Sequence, residues 1–122
     1  MVKNDRPHKR LRLWEKSMEL VTCIYKVTMG FPKEEEFGLK SQLRRGAVSI
    51  PSNLAEGLTR KSRKDKLRFL NISQGSLSEV DAQFEISCRL GYLNDNEYDA
   101  MEQRCTEVQM LLNGLIRSIE LS

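Results

Sequence analysis

The sequence predicts an all-α fold, an antiparallel up-down-up-down four-helix bundle. Three observations predict it. Apolar residues recur at steps of three and four in four separate runs, each long enough for a helix of about 19 to 29 residues. Short segments holding Gly, Pro or Asn separate the runs, so consecutive helices should be antiparallel neighbours. No stretch alternates with period two, so no strand pattern competes. At 122 residues the chain has room for one domain with one core. Residues 1–8 read as a flexible basic arm and residues 9–122 as the bundle.

The first helix is expected from about Lys9 to Met29. Leu11, Trp14, Met18, Val21, Tyr25 and Thr28 form its stripe, widened by Leu20, Ile24 and Val27. Gly30 and Pro32 end it, and Phe31 is placed to fold back on the core. Glu34, Glu35 and Glu36 then precede the second helix, where carboxylates favour the helix dipole.

That second helix should run from about Phe37 to Glu56 and end at Gly57. Leu39, Leu43, Ala47, Ile50, Leu54 and Leu58 keep to one face. Residues 46–55 carry no charge in a chain that is 30% charged. Pro51 lacks an N–H and crowds the carbonyl of Ala47, so the helix is expected to bend or stop there. Ser49, Ser52 and Asn53 are placed to bond the freed backbone.

The third helix should start at Ser62, where Ser62-Arg63-Lys64-Asp65 is a capping-box pattern with Asp in the acidic place. Leu70, Leu77, Val80 and Phe84 mark its core face, and Gly91 its end. Gly75, in mid-helix, lowers helix propensity by roughly 1 kcal/mol against Ala. Close packing of Gly75 on the Gly46–Ala47 region is the expected compensation. Asn94 with Glu97 is a second capping box. Tyr98, Met101, Cys105, Val108, Leu112, Leu115 and Ile119 make the last helical stripe.

Net charge is +3, but it is unevenly placed. Residues 1–68 hold 17 Lys/Arg against 8 Asp/Glu, and residues 69–122 hold 3 against 9. The basic half can meet a polyanion, or an acidic half of its own or another copy. No uncharged run approaches the roughly 18 residues of a membrane span, and no apolar segment backs the basic N-terminus as in a secretory signal. Cys23, Cys88 and Cys105 lie within apolar helical patterns, so reduced, buried thiols and a cytoplasmic setting are expected.

Arg60, Lys61, Arg63, Lys64, Lys66 and Arg68 are six cations within nine residues. They read as a phosphate-contacting patch at a helix N-terminus, or else as a solvated face. No aromatic is interleaved among them to stack bases. The N-terminal Lys3, Arg6, Lys9, Arg10 and Arg12 offer a second contact, or a solubilising tail. Arg44 and Arg45 point about 100° apart on a helix. One of them is expected to pair with a carboxylate of another helix or subunit, with Glu79 and Glu56 as candidates. Asn53 and Glu56 are candidates for a buried polar network that fixes helix pairing.

Nothing in the pattern supports an enzyme. There is no Gly-rich phosphate loop, no nucleophile elbow and no cysteine pair at ligand spacing. A di-metal bundle needs Glu-x-x-His pairs, and His8 is the only histidine. No catalytic residue, metal or cofactor is therefore expected.

A family resemblance rests on Leu13-Trp14-Glu15-Lys16, Phe31-Pro32-Lys33-Glu34-Glu35 and Ser41-Gln42-Leu43-Arg44-Arg45. It continues through Ser49-Ile50-Pro51-Ser52-Asn53-Leu54-Ala55-Glu56-Gly57, Arg68-Phe69-Leu70, Gly75-Ser76-Leu77-Ser78-Glu79 and Gly91-Tyr92-Leu93. Together these blocks resemble the bacterial four-helix bundle proteins encoded by intervening sequences in large-subunit ribosomal RNA genes. The chain is similar, more distantly, to the accessory variability protein of diversity-generating retroelements. The resemblance implies a homopentamer, five bundles forming a barrel, and a role in binding RNA or DNA. The sequence departs at Gly46, where many relatives carry Ala, which implies a looser middle of the second helix. The functional expectation is a non-enzymatic oligomer binding RNA or DNA without strong sequence preference. The alternative is a protein-interaction scaffold with no direct nucleic-acid binding.

Overall fold

The structure, a computed structural model, describes residues 11–122. Four helices account for most of it: α1 (Arg12–Thr28), α2 (Leu39–Thr59), α3 (Arg63–Arg89) and α4 (Asp95–Leu121). A single 3-10 turn, Lys33–Glu35, lies between α1 and α2. No strand occurs among the described residues. Each helix packs on two others, in the ring α1–α2–α3–α4, with α1 and α3 on one diagonal and α2 and α4 on the other.

Neighbours run antiparallel. Gln42 of α2 meets Gln83 of α3, and Ser49 meets Ser76. Gln74 of α3 meets Asn113 of α4, while Arg63 meets Glu120. Lys16 of α1 reaches Glu107 of α4 at 3.2 Å. No helix among the described residues is long and apolar enough to cross a membrane.

The caps follow local chemistry. Ser62 Oγ accepts from the Asp65 amide at 3.1 Å and opens α3. Asn94 and Glu97 complete a reciprocal capping box on α4. Gly91, at φ +83°, closes α3 in a Schellman turn. The Tyr92 amide donates to Ser87 O and the Gly91 amide to Cys88 O. Glu35 Oε1 accepts from the Leu39 amide and so caps α2. Phe31 folds back on the core as expected, 5.4 Å from the Tyr92 ring.

The core contains Leu20, Ile24, Leu43, Ala47, Ile50, Leu54, Leu70, Leu77, Val80, Phe84, Val108 and Leu112. The stripes expected on α2, α3 and α4 point into it, with Leu39, Leu58, Tyr98, Leu115 and Ile119 half-buried at its margins. On α1 the expectation holds for Leu20, Ile24 and Thr28, but the core face is turned toward Leu13 and Ser17. Leu13, Ser17, Leu20, Ile24 and Thr28 are buried, whereas Met18 and Tyr25 are 38% and 40% exposed. Serine enters this core because Ser17 Oγ donates to Trp14 O at 2.9 Å, which satisfies the hydroxyl within its own helix.

Two glycines of α2 play parts the sequence did not reveal. Gly57 does not end α2, which continues to Thr59. It is buried against α3, where a Cβ would lie 3.1 Å from Phe69 Cβ and 3.2 Å from Lys66 O. Gly46 does not loosen the helix; a Cβ there would lie 2.8 Å from Val80 Cγ2. The space given up by Gly46 is filled by the partner helix. Gly75, the expected partner of that contact, is exposed with nothing of the bundle near its missing Cβ. Helix α2 also runs through Pro51 without stopping.

The expected polar network is half present. Asn53 Nδ2 donates to Ser49 O at 2.9 Å and Ser49 Oγ at 3.0 Å. Ser49 Oγ lies 2.8 Å from Ser76 Oγ across the α2–α3 seam. Glu56 is outside this network. It is exposed and pairs with Arg60 at 3.4 Å.

Arg44 pairs with no described carboxylate of its own chain. Its Nε donates to Thr28 Oγ1 at 2.9 Å and its Nη2 to Tyr25 O at 3.1 Å. The guanidinium also lies over the Tyr25 ring, 4.5 Å from the centroid. It therefore caps the carbonyl end of α1, where a cation suits the helix dipole. The physical reason is place: the end of α1 stands beside the first turns of α2, and Glu56 lies near the far end of α2. Arg45 is exposed and lines a shallow depression with Gln42, Ser49, Ser76, Glu79 and Gln83.

Candidate nucleic-acid interface

Antiparallel packing leaves an excess of cations at one end of the bundle and of anions at the other. One end gathers the start of α1, the α2–α3 turn and the end of α4. Trp14 and Ala55 line one groove there, and Arg63 reaches Glu120. The other end gathers the α1–α2 and α3–α4 connections, tied by Tyr92 Oη donating to Glu35 Oε2 at 3.0 Å.

The first end holds Arg12, Arg60, Lys61, Arg63, Lys64, Lys66, Arg68 and Arg117 against Glu15, Glu56, Asp65 and Glu120. The second holds Glu34, Glu35, Glu36, Asp95, Glu97 and Asp99 against Lys26, Lys33, Lys40 and Arg89. So Arg63, Lys64 and Lys66 are not covered by the acidic start of α4 within one chain. Lys9 and Arg10, with the rest of the N-terminal arm, lie outside the described residues.

The six clustered cations divide by partner. Arg60 pairs with Glu56 and lies over Phe69, 4.8 Å from the ring centroid. Arg68 lies over the same ring, also at 4.8 Å. Arg63 Nη1 donates to Glu120 O at 3.0 Å and Ser122 O at 2.9 Å, so this cation caps α4. Lys61 and Lys64 are exposed and Lys66 half-exposed, and none is in an ion pair with a described carboxylate. The three lysines flank the first turn of α3, whose amides and dipole also favour an anion.

Phe69 is the residue that the sequence reading missed. It corrects the expectation that no aromatic is interleaved in the cluster. Arg68 is its neighbour in the chain, which was a visible signal. Arg60 reaches it only because α2 and α3 close at Gly57.

Elsewhere the chemistry is quiet. All three cysteines are free. Burial, then the carboxylates of Asp81 and Glu102, pushes the Cys105 thiol up to about 12. Burial and the Asp95 carboxylate raise Cys88 as well. Neither is a ready thiolate. Of the three, only Cys105 is buried, so the expectation of buried thiols holds for one and by half for Cys23 and Cys88.

Between α3 and α4, a hydrogen bond with Asp81 raises the Glu102 carboxyl to about 7, with burial adding to it. A raised carboxyl stabilises the fold below its unfolded value of 4.5, and that stability is lost as pH rises through about 7. Discounted for the water that reaches the pair, the loss is ~1 kcal/mol, or about 3–5 °C in melting temperature. Melting curves at pH 5 and pH 8 are expected to show this drop in the wild type and a smaller one in Glu102→Gln. An equal drop in both would place the dependence elsewhere.

On the α1–α2 flank, Trp14, Met18, Val21, Val48, Pro51, Ser52 and Ala55 line a groove of about 370 Å³. Its walls are almost wholly apolar. It is the product of the α1 rotation: the stripe expected in the core faces outward along α2.

A family model described as 23S rRNA-intervening sequence protein matches residues 9–114. A solved protein of unknown function from the S23 ribosomal protein family of Bacteroides thetaiotaomicron superposes with a TM-score of 0.76. It is 28% identical, over 85% of this chain and 97% of that one. No curated protein matches.

Proposed function

Because this chain belongs to the 23S rRNA-intervening sequence protein family, we propose that it is a non-enzymatic, cytoplasmic, oligomeric nucleic-acid-binding bundle. It takes RNA or DNA by the phosphates and without strong sequence preference. The observation that carries this reading is the excess of cations at one end of the bundle. Lys61, Lys64 and Lys66 stand together at one end, unpaired with any described carboxylate, beside the N-terminus of a long helix. A solvated face would gain nothing from crowding cations at a helix start, where the dipole disfavours them. A polyphosphate offsets that disadvantage.

The groove of α1 and α2 supports self-association. A second copy covering Met18 and Val48 would remove apolar surface from water. The number five rests on the family resemblance, and a bend of α2 at Pro51 would set the curvature of that wall. Five basic ends on one rigid body raise the apparent affinity when one strand reaches several of them.

The test is fluorescence anisotropy of labelled RNA and DNA over a salt series. Binding should weaken linearly in log–log terms as salt rises. Replacing Lys61, Lys64 and Lys66 with Ala should make the slope shallower by about 2 for a single strand. Flat anisotropy at low salt with both ligands would overturn the proposal. It would leave the groove, and a role as a protein-interaction scaffold, as the better reading.

A further inference from the structure

We infer that the basic end selects single-stranded over duplex nucleic acid, by stacking an unpaired base on the guanidinium plane of Arg68 above Phe69. The inference rests on the nucleic-acid reading above and names its ligand class. Two guanidinium groups lie over one ring, Arg60 and Arg68, each 4.8 Å from the Phe69 centroid. They arrive from different elements, the α2–α3 turn and the second turn of α3. Gathering two like charges around one ring works against their repulsion. Glu56 relieves it on the Arg60 side only. Arg68 is exposed and has no ion pair with a described residue.

The base of Phe69 packs on Gly57, where an added Cβ would lie 3.1 Å from Phe69 Cβ. Phe69 is half-buried, which restricts its ring. A guanidinium held over the ring has already lost part of its rotamer freedom, so a second planar group meets it at less entropic loss.

A patch built for phosphate alone has no use for this arrangement. Lysine binds phosphate as a point charge, and three lysines already stand here. A planar cation on an aromatic face adds something a lysine lacks, a π-surface for a base. Bases in a duplex are covered by their neighbours, so only an unpaired base can take it. Every base has such a face, so the site favours strandedness without reading sequence. RNA and DNA share this chemistry.

The experiment compares a labelled single-stranded 12-mer with its duplex, as RNA and as DNA, by anisotropy at one fixed salt concentration. The wild type should bind the single strand tighter by about 5- to 30-fold. Arg68→Lys keeps the charge and removes the plane, and Phe69→Leu removes the ring that holds it. Each should bring the ratio of single-strand to duplex affinity toward one. Arg68 is at an exposed position, so Arg68→Lys supplies a folded variant even where Phe69→Leu loosens the bundle. A wild type that binds both forms equally would overturn this inference and leave phosphate binding intact. So would variants that leave a single-strand preference unchanged. A wild type that binds neither form overturns the nucleic-acid reading and this inference with it.

Discussion

Arg44→Ala is expected to lower stability by about 2 kcal/mol, and Arg45→Ala by less than about 0.5 kcal/mol. The two arginines are adjacent and chemically identical, so the contrast isolates position. Arg44 donates to Thr28 Oγ1 and to Tyr25 O, and lies over the Tyr25 ring. Thr28 is fully buried, and its hydroxyl donates in turn to Ile24 O at 2.7 Å. Removing the guanidinium takes away two charge-assisted hydrogen bonds and the cation–π contact together. It also leaves the carbonyl end of α1 without its cation.

Arg45 points outward from the same turn, and its loss uncovers nothing. At about 4 °C per kcal/mol, Arg44→Ala should melt roughly 8 °C lower, which a thermal scan resolves. Arg44→Lys should recover only part of the loss, because one ammonium cannot span a hydroxyl, a carbonyl and a ring in one plane. Equal effects at positions 44 and 45 would refute the capping role.

Gly46→Ala and Val80→Ala are expected to be non-additive, with a coupling of about 1–2 kcal/mol. A Cβ at position 46 would sit 2.8 Å from Val80 Cγ2. Val80 is fully buried and stiff at χ1, so it cannot turn aside cheaply. Gly46→Ala alone should cost about 1–2 kcal/mol by overpacking, after a propensity gain of roughly 1 kcal/mol. Val80→Ala alone leaves a cavity and should cost about 2 kcal/mol. Together, the new methyl enters the space that Val80 vacates. The double variant should then unfold closer to wild type than the sum of the single losses predicts. Urea midpoints of the four proteins measure this cycle. Strict additivity would mean that α2 and α3 do not meet at this point.

These cases show where the sequence was legible. Caps were: Ser62, Asn94, Glu97 and Gly91 act through bonds closed within a few residues, so their pattern carries the result. Stripes were legible on α2, α3 and α4. On α1, two stripes compete, Trp14-Met18-Val21-Tyr25 and Leu13-Ser17-Leu20-Ile24. The bulk of its side chains favours the first, and a serine counts against the second. Packing chose the second, because a serine that bonds its own helix costs a core little and the tryptophan's bulk fits the flank.

The candidate site was legible as composition and not as geometry. Six cations in nine residues announced themselves. Their division into a pair over Phe69, a cap on α4 and three lysines without a described carboxylate partner did not. That division depends on contacts spanning up to 59 residues, such as Arg63 to Ser122.

The sequence by itself determined four helices, their order, their caps and their antiparallel course. Those follow from local hydrogen bonding, residue spacing and short turns, which act within a few residues. Only the tertiary structure decided the rotation of α1, the roles of Gly46 and Gly57, the partner of each arginine and the separation of charge between the two ends. These depend on which side chains of distant segments fill the same volume, and close packing settles that only when all four helices are in place.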